Sequence, residues 1–294
     1  MPLVWRYGTR GAMLTLFACA KINLTLEILG RRADGYHELM TVFQTIDLKD
    51  TLSFSEQPAI SLECDCPDLR SPDNLAMKAA GLLEQAVGSN KGALISINKG
   101  IPLAAGLGGG ASDAAATLRA LNELWQLGLS REQLLQLASR LSSDAAFFLY
   151  GGTALGQGRG EKITPLPLLP LSWVVLLKPP LDVPDNKTQR LYASLNSSHF
   201  TSGQFSQKMV ELLNRGDEIP SSSLFNTFEQ VAFDAFPGLE EYWQRFLDLG
   251  ADSVHLAGSG PTLFTLTGDK SHGEELYRSL SREGLEVYLV QTVA

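Results

Sequence analysis

The apolar positions of this chain change period several times, and each change marks an element. Residues 14–21 and 22–29 are rich in aliphatic and β-forming residues. Ile22, Leu24, Leu26 and Ile28 alternate onto one face, which predicts strands. Residues 40–46 and 51–54 read as further strands, with the polar stretch 47–50 as their link. The period then lengthens. Leu75, Ala79, Leu82, Leu83 and Ala86 predict a helix over 74–87, followed by a strand at 93–97. Ala114, Leu118, Leu121 and Trp125 mark the core face of a helix over about 112–127. Ser130 and Gln133 form a capping box for a helix running to about Leu141.

Beyond Gly151 and Gly152 the texture changes. The glycines at 156–160 and Pro165, Pro167 and Pro170 mark a connector, which places a boundary near 160–172. A short strand at 173–177 follows, with a loop over 196–206 and helices at 208–213, 225–233 and 239–249. The chain ends as strand 253–256, a Gly258-Ser259-Gly260 turn, strand 262–266, helix 273–281 and strand 285–290. Strands and helices mix without a regular βαβ repeat, so the expectation is α+β. The expected division is an N-terminal extension over 1–12, a domain over 13–165 and a second over 166–294.

Composition narrows the class. At 294 residues, 44% of them hydrophobic, the chain has material for one large or two smaller cores. The formal charge is −8, from 24 Lys and Arg against 32 Asp and Glu. A phosphate-backbone binder needs a basic surface, so nucleic acid is not expected as a partner. No apolar run reaches the roughly eighteen residues of a membrane span. The three cysteines, Cys19, Cys64 and Cys66, match neither a disulfide framework nor a zinc site. The expectation is a cytoplasmic protein with reduced thiols, no membrane partner, and an oligomeric state that composition leaves open.

The chemistry concentrates in Pro102, Leu103, Ala104, Ala105, Gly106, Leu107, Gly108, Gly109, Gly110, Ala111 and Ser112. Four glycines in five positions let backbone approach a ligand closely. The helix behind them aims its free N–H groups and positive dipole end at it, so a nucleotide phosphate is the expected occupant. No Lys-Ser/Thr pair ends the run, so this is not a Walker A loop. Gly106, Gly108 and Ala111 satisfy a dinucleotide fingerprint, but some eight residues, Pro102 among them, separate the strand from the first glycine. A Rossmann turn is much tighter. Lys21 stands out as a lone charge in an apolar strand, costly to bury unless paired.

The segment 102–112 resembles the ATP-binding motif of the GHMP kinase superfamily. Ala20-Lys21-Ile22-Asn23-Leu24, Asp34-Gly35-Tyr36-His37 and Leu256-Ala257-Gly258-Ser259-Gly260-Pro261-Thr262 carry the likeness to the C-terminus. They are similar to the branch that phosphorylates the 2-hydroxyl of a cytidyl diphosphate sugar alcohol in non-mevalonate isoprenoid precursor synthesis. The resemblance implies a two-domain α+β GHMP kinase fold. Its N-terminal domain would be of the ribosomal protein S5 domain 2 type and its C-terminal domain ferredoxin-like. It also implies ATP with Mg²⁺, Ser112 being the protein group nearest the metal. Lys21 and Asp144 would be the catalytic pair, the carboxylate taking the hydroxyl proton. Asn23, Tyr36, His37, Thr188 and Tyr192 would hold the acceptor, with Tyr36 stacking on the cytosine and His37 reading its edge. The sequence departs from the family at Ala111 in place of Ser, at Ala145-Ala146 and at Thr227. Other readings stay open: a superfamily kinase for homoserine, mevalonate or another alcohol, a nucleotide-binding sensor without turnover, and a dinucleotide oxidoreductase.

Overall fold

The computed structural model describes residues 13–88, 90–184 and 186–293; the expected extension at 1–12 lies outside them. In chain order the elements are β1 (Met13–Arg31), β2 (His37–Gln57), β3 (Ser61–Cys64), α1 (Leu75–Val87), β4 (Gly92–Asn98), α2 (Gly109–Leu124), α3 (Arg131–Ala138), α4 (Ala145–Phe148), β5 (Thr153–Gly158), β6 (Lys162–Pro165), β7 (Trp173–Lys178), α5 (Lys187–Ser194), α6 (Gln204–Arg215), β8 (Phe225–Asn226), α7 (Glu229–Ala235), α8 (Leu239–Asp248), β9 (His255–Leu256), β10 (Leu263–Thr267), α9 (Lys270–Arg282) and β11 (Glu286–Gln291). The mixture is α+β, as the irregular alternation of periods implied.

The chain forms two compact units, each assembled from several segments. The first holds residues up to Ala20 with Leu48–Ile101 and Gly108–Gly151; the second holds Lys21–Asp47, Pro102–Leu107 and the chain from Gly152. In the first unit, the end of β2 pairs antiparallel with β4, Thr51 opposite Asn98, and β4 pairs in parallel with β3. Helix α1 packs on α2, and Ala76, Ala79 and Ala80 of the one and Ala114, Ala115, Leu118 and Leu121 of the other are all buried, as is Trp125. Local signals set the ends of these helices. The Asn74 side chain accepts from Ala76 N–H at the start of α1, Gly88 closes it in the left-handed region, and the Ser130–Gln133 capping box opens α3.

In the second unit, the start of β2 pairs antiparallel with β5, and β5 with β6. Strand β8 joins β1 in parallel at Thr25 and Leu26. A separate antiparallel sheet has the order β11-β7-β10-β9, with α9 packed on β7 and β11. Its core gathers Leu26, Val175, Leu177, Phe228, Phe236, Phe246, Leu263 and Leu276. Burying each such side chain is worth about 1.5–3 kcal/mol.

Several expected boundaries are corrected. The two strands read at 14–29 are one, because nothing between Ala20 and Ile22 breaks the ladder. Residues 47–50 are not a link but continue β2, since Asp50 is fully buried and takes backbone N–H groups from Gly100 and Ile101. The helix expected over 225–233 begins only at Glu229. Asn226 and Thr227 are held as strand and turn: Thr227 N–H donates to Leu26 O, and its hydroxyl accepts from Ile28 N–H. Helix α5 was not expected at all, having a single buried apolar residue, Leu191, to announce it.

Candidate functional site

Lys21 lies almost wholly buried in β1, and its ammonium donates to Asn23 Oδ1 at 2.8 Å. Asn23 passes the order on: its Nδ2 donates to Thr41 Oγ1 at 2.7 Å, and that hydroxyl donates to Thr25 O at 2.6 Å. The Phe43 ring lies under the ammonium, 5.7 Å from nitrogen to centroid. A lysine held this way cannot swing, so its charge has a fixed address.

The same unit brings the first half of the Gly-rich loop to that address. Lys21 N–H donates to Leu107 O at 3.0 Å. Gly106 turns with φ +82°, and a Cβ there would run into the Ala257 carbonyl oxygen, so only glycine fits. Opposite it, Gly258 and Gly260 also adopt positive φ, and Asn226 Nδ2 holds the turn by donating to the carbonyls of Leu256 and Gly258. A Cβ on Gly258 would stand 2.9 Å from the Lys21 ammonium. In Pro102–Leu107, Leu103 is exposed, Ala104 has φ 54° and Ala105 is buried.

Of the residues expected to hold the acceptor, His37 lies on Tyr192 with centroids 4.8 Å apart and planes 19° from parallel. Phe200 closes the edge of His37, and Phe228 that of Tyr192. Burial, then the charge of Arg31, holds the His37 imidazole below its ordinary pKa, and its Nε2 is buried without a hydrogen-bond partner. A buried donor or acceptor of this kind is costly unless a ligand completes it. Tyr36 is exposed, with the Arg159 guanidinium over its ring at 4.8 Å. It follows Gly35 in a turn that Asp34 ties by accepting Tyr36 N–H. Thr188 Oγ1 lies 2.8 Å from Ser259 Oγ.

Residues Gly108–Gly151 belong to the first unit. Gly108 caps α2 in the left-handed region and no side chain caps the first turn, so the N–H groups of Gly109, Gly110 and Ala111 are not taken by a capping side chain. Ser112 donates its hydroxyl proton to Cys19 O at 2.7 Å, which leaves the lone pairs of the oxygen for a cation. Among the described residues no group of three or more His, Cys, Asp or Glu could hold a metal. An ion here would therefore rest mainly on phosphate oxygens and water, as Mg²⁺ commonly does. Asp144 precedes α4 but does not cap it; Ser142 Oγ accepts Ala145 N–H instead, at 3.1 Å.

Beneath the loop lies a buried charge cluster that the sequence reading missed. The Lys99 ammonium bridges Asp50 and Asp113, the latter at 2.9 Å. Burial pushes the Asp113 carboxyl up to about 7 against the pull of Lys99. Its Oδ1 has no partner. The available signal was Lys99 itself, a charge at the end of an apolar strand just before the glycines.

Comparison with known proteins fits this arrangement. Residues 74–152 match the family model of the GHMP kinases N terminal domain, and 208–286 that of the GHMP kinases C terminal. A 4-diphosphocytidyl-2-C-methyl-D-erythritol kinase of Dehalococcoides mccartyi is 46% identical over 281 residues, covering 96% of this chain and 99% of that protein. The Bacillus cereus protein of the same name is 41% identical, covering 95% and 96%. A crystal structure of 4-(cytidine 5'-diphospho)-2C-methyl-D-erythritol kinase superposes with a TM-score of 0.80 at 35% identity, covering 96% of this chain and all of that one. A homoserine kinase structure from Cytophaga hutchinsonii has a TM-score of 0.74 at 17% identity, covering 98% and 97%, a likeness of fold alone.

Proposed function

The chain belongs to the GHMP kinases and, within them, to the 4-diphosphocytidyl-2-C-methyl-D-erythritol kinase family, and we propose that it transfers the γ-phosphoryl group of ATP to the 2-hydroxyl of that cytidyl diphosphate sugar alcohol. The product would serve isoprenoid precursor synthesis by the non-mevalonate route. The observation that carries the choice of acceptor is the His37–Tyr192 stack with its unpartnered Nε2. A pyrimidine offers both a flat face and a hydrogen-bonding edge to such a pocket, whereas homoserine and mevalonate have no flat face to stack.

Phosphoryl transfer needs positioning and charge stabilisation more than covalent chemistry. In this proposal the backbone of 106–111 and the start of α2 cradle the β- and γ-phosphates. Mg²⁺ arrives with ATP and neutralises phosphate charge, with Ser112 oxygen as its protein contact. Lys21, fixed through Asn23 and Thr41, steadies the phosphoryl in flight. Asp144, not engaged as a helix cap, accepts the proton of the attacking hydroxyl. Asn23 also faces the sugar alcohol, while Thr188 and Tyr192 close the cytidine side. The proposed domains are 13–165 for the nucleotide and 166–294 for the remainder.

The test is ADP release from MgATP with 4-diphosphocytidyl-2-C-methyl-D-erythritol, with homoserine and mevalonate in parallel and Lys21→Ala as control. Turnover confined to the cytidyl acceptor and lost in the control is the expected result. Turnover with another alcohol instead would refute the acceptor, and ATP binding without turnover on any of them would leave the sensor reading.

A further inference from the structure

A second lysine shares the glycine turn with Lys21. Lys187 opens α5, directly before Thr188, and its largely buried ammonium donates to the Gly260 carbonyl. Lys21 faces Gly258 at the other end of the same three-residue turn. Two ammonium groups, one from β1 and one from α5, thus converge on residues 258–260. Lys187 forms no ion pair with a carboxylate among the described residues, and the charged side chain facing it is Lys21. Burial first, and the charge of Lys21 second, hold Lys187 down to about 7. Two like charges gathered in a partly dry place are unfavourable in the empty protein. The arrangement becomes favourable once an anion lies between them.

The position says which anion. Thr188 and Tyr192 are four residues apart and share a face of α5, so the ring that stacks on His37 sits one helical turn from the Lys187 end. Lys187 therefore stands between the aromatic pocket and the Lys21 ammonium. We propose that Lys187 binds the diphosphate of the acceptor, bridging its base to its reacting alcohol. This rests on the cytidyl-acceptor reading above. Among the described residues the ammonium donates to a backbone carbonyl, that of Gly260, which a phosphate oxygen can replace at little cost.

Calorimetric titration with cytidine and with cytidine diphosphate tests this on the wild type and on the Lys187→Met and Lys187→Arg variants. A lost charge-assisted contact predicts cytidine diphosphate binding weakened about tenfold to a hundredfold by Met, cytidine binding unchanged, and much of the loss recovered by Arg. Anion binding also raises the pKa of a nearby ammonium. Above pH 7 the wild type should take up protons on binding cytidine diphosphate, seen as a dependence of the heat on buffer ionisation, and Lys187→Met should not. Proton uptake distinguishes contact with the ligand from a merely structural role. Equal cytidine diphosphate affinity in wild type and Lys187→Met, or proton uptake that persists in the variant, overturns the assignment. If the wild type ignores cytidine yet binds cytidine diphosphate through Lys187, the anion site stands and the cytidyl acceptor falls.

Discussion

Removing the Lys99 side-chain charge, as in Lys99→Met, tests whether the buried cluster under the glycine loop is held by its one cation. Lys99, Asp50 and Asp113 are each almost fully buried at the side chain, so solvent screens none of them. Breaking a buried pair by deleting one partner costs about 3–5 kcal/mol, because the remaining charge is left uncompensated. The cost falls unevenly. Asp50 keeps two backbone N–H groups, from Gly100 at 2.7 Å and Ile101 at 2.8 Å, whereas Asp113 loses its ammonium and has an Oδ1 already without a partner. Asp113 therefore escapes by taking up a proton, and its carboxyl, at about 7 with Lys99 present, moves higher without it. A folded-state carboxyl pKa raised above the unfolded value means that the native state binds the extra proton. Stability from that group then falls as pH rises through the window between the unfolded value, about 4, and the folded one. Urea unfolding at pH 5.5 and pH 8.5 should show a loss of about 3–5 kcal/mol at the higher pH and a smaller one at the lower. The Lys99→Met/Asp113→Asn double variant should narrow the difference between the two. A loss below about 1 kcal/mol at both pH values, the size of an exposed pair, or a loss greater at pH 5.5, would refute the reasoning.

Three further outcomes are expected. Asp144→Asn should lower kcat by about 10²–10⁴, the usual worth of a general base, while isothermal titration shows ATP affinity within about threefold of wild type; joint loss of both would make Asp144 structural. Gly106→Ala drives a methyl into the Ala257 carbonyl at a positive φ, so ATP affinity should fall by at least tenfold with the fold retained by circular dichroism, and wild-type affinity would contradict the close approach. The His37 imidazole is held below its ordinary pKa by burial and by Arg31, so it resists protonation in the folded state. Its contribution to stability is present at neutral pH and fades as pH falls below about 6.5, and its contribution to acceptor binding is lost at the lower folded-state pKa; an acceptor KM that stays flat from pH 7.5 to 5 in wild type, matching His37→Gln, would refute it.

The local features of this protein were legible one element at a time. The glycine run, the capping box at Ser130 and the core face of α2 rest on neighbours within a few residues, where sequence spacing and spatial contact coincide. Lys21, Asn23, His37, Asp144 and Tyr192 were singled out as candidates through motifs that the chain keeps in order. Boundaries failed where a distant partner decides. Residues 47–50 look like a link until Asp50 is seen accepting N–H groups from residues fifty positions away. Phe225 and Asn226 look helical until β1 pairs with them.

By itself, then, the sequence determined the class of the fold, the glycine-rich loop and the kinase family, because each depends on periodicity or on residues adjacent in the chain. Tertiary structure alone decided that His37 stacks on Tyr192, which it meets across 155 positions. It also decided that Lys99 lies between two carboxylates and that Lys187 and Lys21 converge on a single turn. The physical reason is the same in each case. A side chain's charge and stacking energy depend on its burial and on what surrounds it, and those surroundings are assembled by long-range packing.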